Sequence, residues 1–252
     1  MPRIRLVLTV LFALMLSDPA ARAECRLALV LALDVSRSVD AEDFAIQTGG
    51  LIAALQAPEV QTAFFAPAGD VALAVFQWSG DSHQEIVVDW ALIRRPEDLA
   101  PVVAALEALR PPELRLSTAI GQALAFGRAL LDRAPDCRRR VIDVSGDGRN
   151  NNGPTPERVY AGTDWAGITV NGLAIGAHEM SIERYYSEVV IRGPGAFVEM
   201  AVRQTDFPAA MRRKLQRELT EAFAALSPPD GGDSPPRSAR ETVDSTRPAG
   251  KS

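Results

Sequence analysis

Residues 27–33 read Leu-Ala-Leu-Val-Leu-Ala-Leu, and Asp34-Val35-Ser36-Arg37-Ser38 follows at once. An apolar run of strand length with no polar alternation describes a strand covered on both faces, as in a parallel sheet packed between helices. This strand ends in one carboxylate and two hydroxyls. Residues two apart in an extended segment point the same way, so Asp34, Ser36 and Ser38 are placed to converge. Small oxygen donors around a carboxylate suit a hard divalent cation such as Mg²⁺. A helix start rich in capping residues reads the same way, since Ser and Asp are favoured there. The string alone does not choose between the two.

The rest of the chain alternates strand and helix patterns, which predicts an α/β sandwich around a mostly parallel sheet. Asp40 is an N-cap for a first helix carrying Phe44, Thr48, Leu51, Ile52 and Leu55 at helical spacing. The Gly49-Gly50 pair weakens that helix unless close packing compensates. Val71–Trp78 reads as a second strand, Ser79–Ser82 as a turn, and Glu85–Trp90 as a third strand returning as an antiparallel edge. Helical patterns follow over Pro96–Leu109 and Thr118–Leu131, then a strand at Val141–Val144. A short helix, a strand at Ile168–Ile175, a helix at Ser181–Val190 and a sixth strand at Ala196–Val202 come next. Met211, Leu215, Leu219 and Phe223 mark a final amphipathic helix. The expected architecture is a three-layer, doubly wound, Rossmann-like sandwich with six strands, one of them an antiparallel edge.

Residues 1–23 have the form of a cleaved secretory signal. Arg3 and Arg5 precede the apolar core Leu6–Leu16, and Ala21-Arg22-Ala23 is a small-x-small cleavage site. That core is too short to span a bilayer, and no later stretch is long and apolar enough to do so. Glu24 before Cys25 does not fit a lipidation signal. Residues 227–252 are polar and rich in Pro, Gly and Ser, a composition expected to stay disordered. About 200 residues remain, enough for one domain. The chain is acidic, with a formal charge of −5 and no basic cluster, which does not favour nucleic acid or anionic membrane as a partner.

Cys25 and Cys137 are the two cysteines of the chain, one before the first strand and one before the fourth. If those strands are parallel neighbours, the two lie at the same end of the sheet at disulfide distance. The closed loop would then contribute about 4–5 kcal/mol by chain entropy. Two unpaired thiols are the other reading.

Ligands of a doubly wound sheet bind beyond the carboxyl ends of the strands, where the strand order reverses. The fourth strand ends in Ser145-Gly146-Asp147-Gly148, a second carboxylate in a glycine turn. Ahead of it, Leu116-Ser117-Thr118-Ala119-Ile120-Gly121-Gln122-Ala123-Leu124 places a hydroxyl at a helix start. Together these resemble the von Willebrand factor type A (vWA) domain and its metal-ion-dependent adhesion site. The matching pieces are D-x-S-x-S at Asp34, Ser36 and Ser38, then Thr118 with Gly121, Ala123 and Leu124, then Asp147 with Gly148. The likeness runs from about Leu27 to Phe223 and is nearest to exported bacterial proteins of this type without an assigned function. Two departures stand out: Ser145-Gly146 where relatives have an apolar residue and threonine, and Ser117 as a competitor to Thr118.

The resemblance implies one cation, Mg²⁺ before Mn²⁺ or Ca²⁺, held by Ser36, Ser38 and Thr118, with Asp34 and Asp147 bound directly or through water. It also implies a protein partner that supplies an Asp or Glu carboxylate. Asn150 and Asn151 follow the Asp147 turn, and His178 follows the fifth strand, so all three are expected at the rim. The second histidine, His83, reads as a turn residue, Arg138–Arg140 as a solvated cluster at the opposite end, and Trp78 and Trp90 as packing residues. A hydrolase reading meets several absences. The sequence has no G-x-S-x-G elbow, no phosphate-binding loop, no placed base for Ser36, and too few clustered carboxylates for two metals. Asp143 lies inside its strand, where it should point away from the ion. A structural exported domain with a vestigial site is the third reading.

Overall fold

In a computed structural model, the described residues are 24–67, 69–113, 116–176, 179 and 181–224. The expected leader, the expected disordered tail and His178 lie outside them. The sheet has six strands: β1 (Cys25–Asp34), β2 (Asp70–Trp78), β3 (Gln84–Ile93), β4 (Cys137–Gly146), β5 (Ile168–Ile175) and β6 (Val198–Ala201). Their order is β3-β2-β1-β4-β5-β6. Only β3 runs antiparallel, as an edge; all other neighbours are parallel. The order reverses between β1 and β4, which makes their carboxyl ends the switch point.

Among the described residues, seven α-helices cover the sheet: α1 (Ala41–Gln56), α2 (Pro58–Phe64), α3 (Ala100–Glu107), α4 (Ile120–Leu131), α5 (Pro156–Gly162), α6 (Ile182–Tyr185) and α7 (Phe207–Ala224). The unbroken apolar run of β1 follows from two separate cores. Leu27, Leu29, Leu31 and Leu33 pack with Leu51, Leu55, Val102, Leu106, Met211 and Leu215. Ala28, Val30 and Ala32 face Ile120, Leu124, Leu131 and Tyr186 on the other side. Each side chain of the strand is buried, so nothing selects a polar residue at alternate positions.

The glycine pair in α1 is explained by α7. A Cβ on Gly50 would lie 3.0 Å from both Phe207 Cδ1 and Pro208 Cγ, so the residue lets the two helices approach. Several boundaries differ from expectation. The sequence reading missed α2. Pro96–Leu99 forms a 3₁₀ turn before α3, with the prolines at early positions where the missing N–H is harmless. The segment expected as one helix over Ser181–Val190 divides into α6 and a π-helical turn, Tyr186–Val190. The sixth strand is shorter than its pattern.

At the amino end of the sheet Cys25 and Cys137 are register partners and form a disulfide, with Cα atoms 4.5 Å apart. The same end holds the basic run. Arg138 pairs with Glu24, and Arg140 lies 3.3 Å from Asp132.

Candidate metal centre

The five predicted ligand residues meet at the switch point. β1 delivers Asp34, fully buried, and the turn after it delivers Ser36 and Ser38. Those serines are not helix caps. The N-cap of α1 is Asp40, whose side chain accepts from the Glu42 and Asp43 amides, at 2.8 and 2.9 Å. The capping reading is thereby excluded and the hydroxyls are left for other work. Ser36 Oγ and Ser38 Oγ are 3.2 Å apart, Thr118 Oγ1 donates to Ser36 Oγ at 3.3 Å, and Ser38 Oγ donates to Asp147 Oδ1 at 2.6 Å. The Ser36 amide donates to Asp34 Oδ1 at 2.7 Å.

Thr118 precedes α4 instead of opening it. The N-cap position is Ala119, which makes no side-chain cap, so the threonine hydroxyl is not spent on the helix. Ser117 is exposed and Thr118 is buried, which assigns the site hydroxyl to Thr118. Backbone bonds fix the segment: Arg37 N donates to Leu116 O at 2.8 Å, and Ala119 N to Ser79 O at 2.9 Å.

The asparagine loop is a clamp on this segment. Asn151 Oδ1 accepts from Thr118 N at 2.9 Å, while Asn151 N donates to Thr118 O at 2.9 Å. Asn150 Oδ1 accepts from Gly121 N at 3.0 Å. Gly121 is required for this closeness, because a Cβ there would lie 2.1 Å from Pro154 O. Asn150 and Asn151 are therefore at the rim, but their amide oxygens face protein backbone. If they act by holding Thr118, Asn151→Ala should lower cation affinity about 10-fold, the scale of lost outer-shell contacts, with circular dichroism unchanged. Unaltered affinity by calorimetry would show that Thr118 keeps its place without them.

Asp34 carries the main electrostatic feature. Its Oδ2 is buried and lacks a hydrogen-bond partner. Burial, then the charge of Asp147, pushes its pKa up from 3.8 to about 8, against the Ser36 hydrogen bonds that pull it down. A buried anion this poorly compensated by protein is what a cation would neutralise. Beside it lies Tyr186, which the sequence reading missed. A Cβ on Gly146 would be 2.7 Å from Tyr186 Oη and 2.8 Å from Asp34 Oδ2, so glycine is needed where the tyrosine and the carboxylate crowd the strand end. The Tyr186 hydroxyl is also buried without a partner, and burial followed by the Asp34 charge holds its pKa well above 10. This departure from the family sequence thus has a packing cause.

Two carboxylates and three hydroxyls form a hard oxygen donor set, fitting Mg²⁺ in kind. Among the described residues no three His, Cys, Asp or Glu side chains cluster in a way that could hold a metal. The site is poor in charge, as the two aspartates imply. Asp143 turns to the opposite face of β4, where Lys214 of α7 meets it at 2.9 Å. His83 is half-buried in the β2–β3 turn. Trp78 is fully buried, and Trp90 Nε1 donates to Leu130 O at 3.1 Å, so both are packing residues.

A cleft of about 170 Å³ beside the hydroxyls is lined by Arg37, Ser38, Ser117, Thr118 and Asn151. On the other rim Arg149 stacks on the Tyr185 ring at 4.8 Å and donates to Glu179 Oε1 at 2.5 Å.

A family model described as protein of unknown function (DUF1194) matches residues 24–223. No curated protein matches the chain. Among solved structures, a von Willebrand factor type A protein from Catenulispora acidiphila aligns with a TM-score of 0.56 at 16% identity, over 80% of this chain and 43% of that one. Proximal thread matrix protein 1 from the mussel byssus, in a structure with a zinc-occupied MIDAS motif, aligns at 0.55 and 14% identity, over 79% and 49%. The PilB minor pilin from Streptococcus sanguinis aligns at 0.59 and 12%, over 84% and 65%. The chain spans less than two thirds of each of these proteins, and at such identities the likeness is one of fold. That fold is the vWA type.

Proposed function

The chain belongs to the DUF1194 family of proteins of unknown function, and we propose that it is an exported recognition module that binds one divalent cation through Asp34, Ser36, Ser38, Thr118 and Asp147. The observation that carries this reading is the convergence of three hydroxyls and Asp147 beside Asp34, whose buried outer oxygen has no partner in the protein. A similar fold with a zinc-occupied MIDAS motif supports a divalent ion at such a site. The donor set favours Mg²⁺, with Mn²⁺ and Ca²⁺ as alternatives. A cation there supplies an open coordination position for an Asp or Glu carboxylate of a protein partner. Arg37 and Arg149 at the rim would help draw an acidic surface, an effect mainly on association rate.

Export rests on the leader pattern of residues 1–23, with residues 24–226 as the working domain in the periplasm or outside the cell. The module is read as non-enzymatic. Ser36 Oγ lies among the hydroxyls of Ser38 and Thr118 and also bonds the Asp34 carboxylate, which this reading gives to the cation and not to activation of the serine.

The test is calorimetric titration of Mg²⁺ and Mn²⁺ into the purified chain, beside Asp147→Ala with matched circular dichroism. One ion per chain, lost in the variant, is the expected result. A folded Asp147→Ala protein that keeps full affinity would overturn the ligand set.

A further inference from the structure

Behind β4, on the face away from the cation site, lies a buried ionic group that the recognition reading does not use. Lys214, Asp143 and Glu218 are all within 2% of full burial. Lys214 Nζ is 2.9 Å from Asp143 Oδ1 and 2.6 Å from Glu218 Oε1. Asn171 Nδ2 donates to the same Glu218 oxygen at 2.8 Å, and its own Oδ1 accepts from Phe197 N at 3.2 Å, so Glu218 is held in place. The Phe197 ring centroid lies 5.0 Å from Nζ. Neither Asp143 oxygen has a hydrogen-bond partner that satisfies ordinary geometry, and Glu218 Oε2 also has none. One ammonium thus serves two carboxylates in an apolar pocket, an arrangement that costs more to bury than it returns in attraction.

We propose that Lys214 and Asp143 are joined by an intramolecular isopeptide bond, formed with Glu218 as proton carrier. The step balances without an outside reagent. The ammonium of Lys214 passes a proton to Glu218, and the free amine attacks the Asp143 carboxyl carbon. The C–O bond breaks, that oxygen leaves as water with the proton returned by Glu218, and an amide C–N bond remains. An ammonium and a carboxylate become one amide and one water, and Glu218 ends with the charge it began with.

Three physical features favour this. The nitrogen touches an oxygen of the carboxyl group it would attack, and groups held this way react with very high effective molarity. Burial pushes the Asp143 carboxyl up to about 7, opposed by Lys214 and reinforced by Glu218, so its neutral, electrophilic form is accessible. The two carboxylates keep the Lys214 pKa raised against burial, so the amine is released only through a neighbour such as Glu218. The product removes the buried charges of Lys214 and Asp143, leaves Glu218 with Asn171 Nδ2 as its donor, and ties α7 to the central sheet.

Intact mass of the purified chain, reduced to open the disulfide and with its ends fixed by peptide mapping, decides the matter. The expected mass is that of the sequence less one water. After trypsin, residues 141–149 should appear joined to residues 214–217. A mass equal to the sequence, with the two peptides separate, overturns the proposal. Loss of one ammonia with Asn171 joined to Lys214 overturns the assignment of Asp143. Glu218→Gln should fold and keep the full mass; a cross-link in that variant overturns the role of Glu218.

Discussion

In metal-free buffer the folded chain should lose about 5 kcal/mol of stability between pH 4 and pH 8 through Asp34 alone, and saturating Mg²⁺ should restore it. The sign follows from the protons bound. Unfolded, Asp34 titrates near 3.8; folded, its value is about 8, chiefly from burial and then from Asp147. Between those values the native state holds more protons than the unfolded one, so raising the pH favours unfolding. The contribution is fully present below 3.8 and is gone above about 8. A bound cation reverses this by compensating the carboxylate, and it adds stability in proportion to the logarithm of its excess over the dissociation constant.

Asp34→Asn isolates the effect. The variant retains an oxygen for the Ser36 amide but carries no charge, so its stability without metal should be flatter across the window and unresponsive to Mg²⁺. Urea midpoints at several pH values, with and without Mg²⁺ or chelator, measure the difference. Identical profiles for the two proteins would mean that Asp34 is solvated or paired, and the argument for a cation at its free oxygen would fail.

The parts of this site that were legible in the sequence share one property: their geometry is set locally. The β1 run shows burial on both faces, and period two then carries Asp34, Ser36 and Ser38 to one point. Parallel neighbours also bring Cys25 opposite Cys137, so the disulfide could be anticipated from position. Asp143 could be turned away from the ion by the same alternation. What alternation does not give is the partner on the other side. Lys214 and Glu218 look like ordinary surface residues of an amphipathic helix, and only the docking of α7 on β4 buries them. Tyr186 was hidden because a helical pattern continues through it. The π-helical turn that seats its ring against Gly172, where a Cβ would meet Cδ1 at 2.6 Å, has no sequence signature here. Asn150 and Asn151 were expected at the rim, but their bonds to Thr118 and Gly121 span about 30 residues of sequence and depend on the closed fold.

Arg26→Met should cost about 4 kcal/mol of stability and leave cation binding unchanged. Arg26 is fully buried one residue after Cys25, at the end of β1 opposite the candidate metal centre. Its guanidinium bonds four backbone carbonyls: Gly69 O at 3.1 Å, Leu219 O at 2.8 Å, Ala63 O at 2.5 Å and Phe64 O at 2.9 Å. Ala63 and Phe64 are the last residues of α2, where carbonyls lack helical partners and the helix dipole is negative. The cation therefore closes one helix end, braces α7 across 193 residues of sequence, and is balanced by dipoles in place of a carboxylate. Methionine has a similar apolar stem but no donor, so the buried carbonyls lose their partner at about 1–3 kcal/mol each before relaxation. Arg26→Lys keeps the charge yet lacks the planar fork, and should recover about half of the loss. The readout is the denaturant midpoint at unchanged m-value. A methionine variant within about 1 kcal/mol of the parent would mean that water reaches these carbonyls and that the arginine is not what closes this end of the sheet.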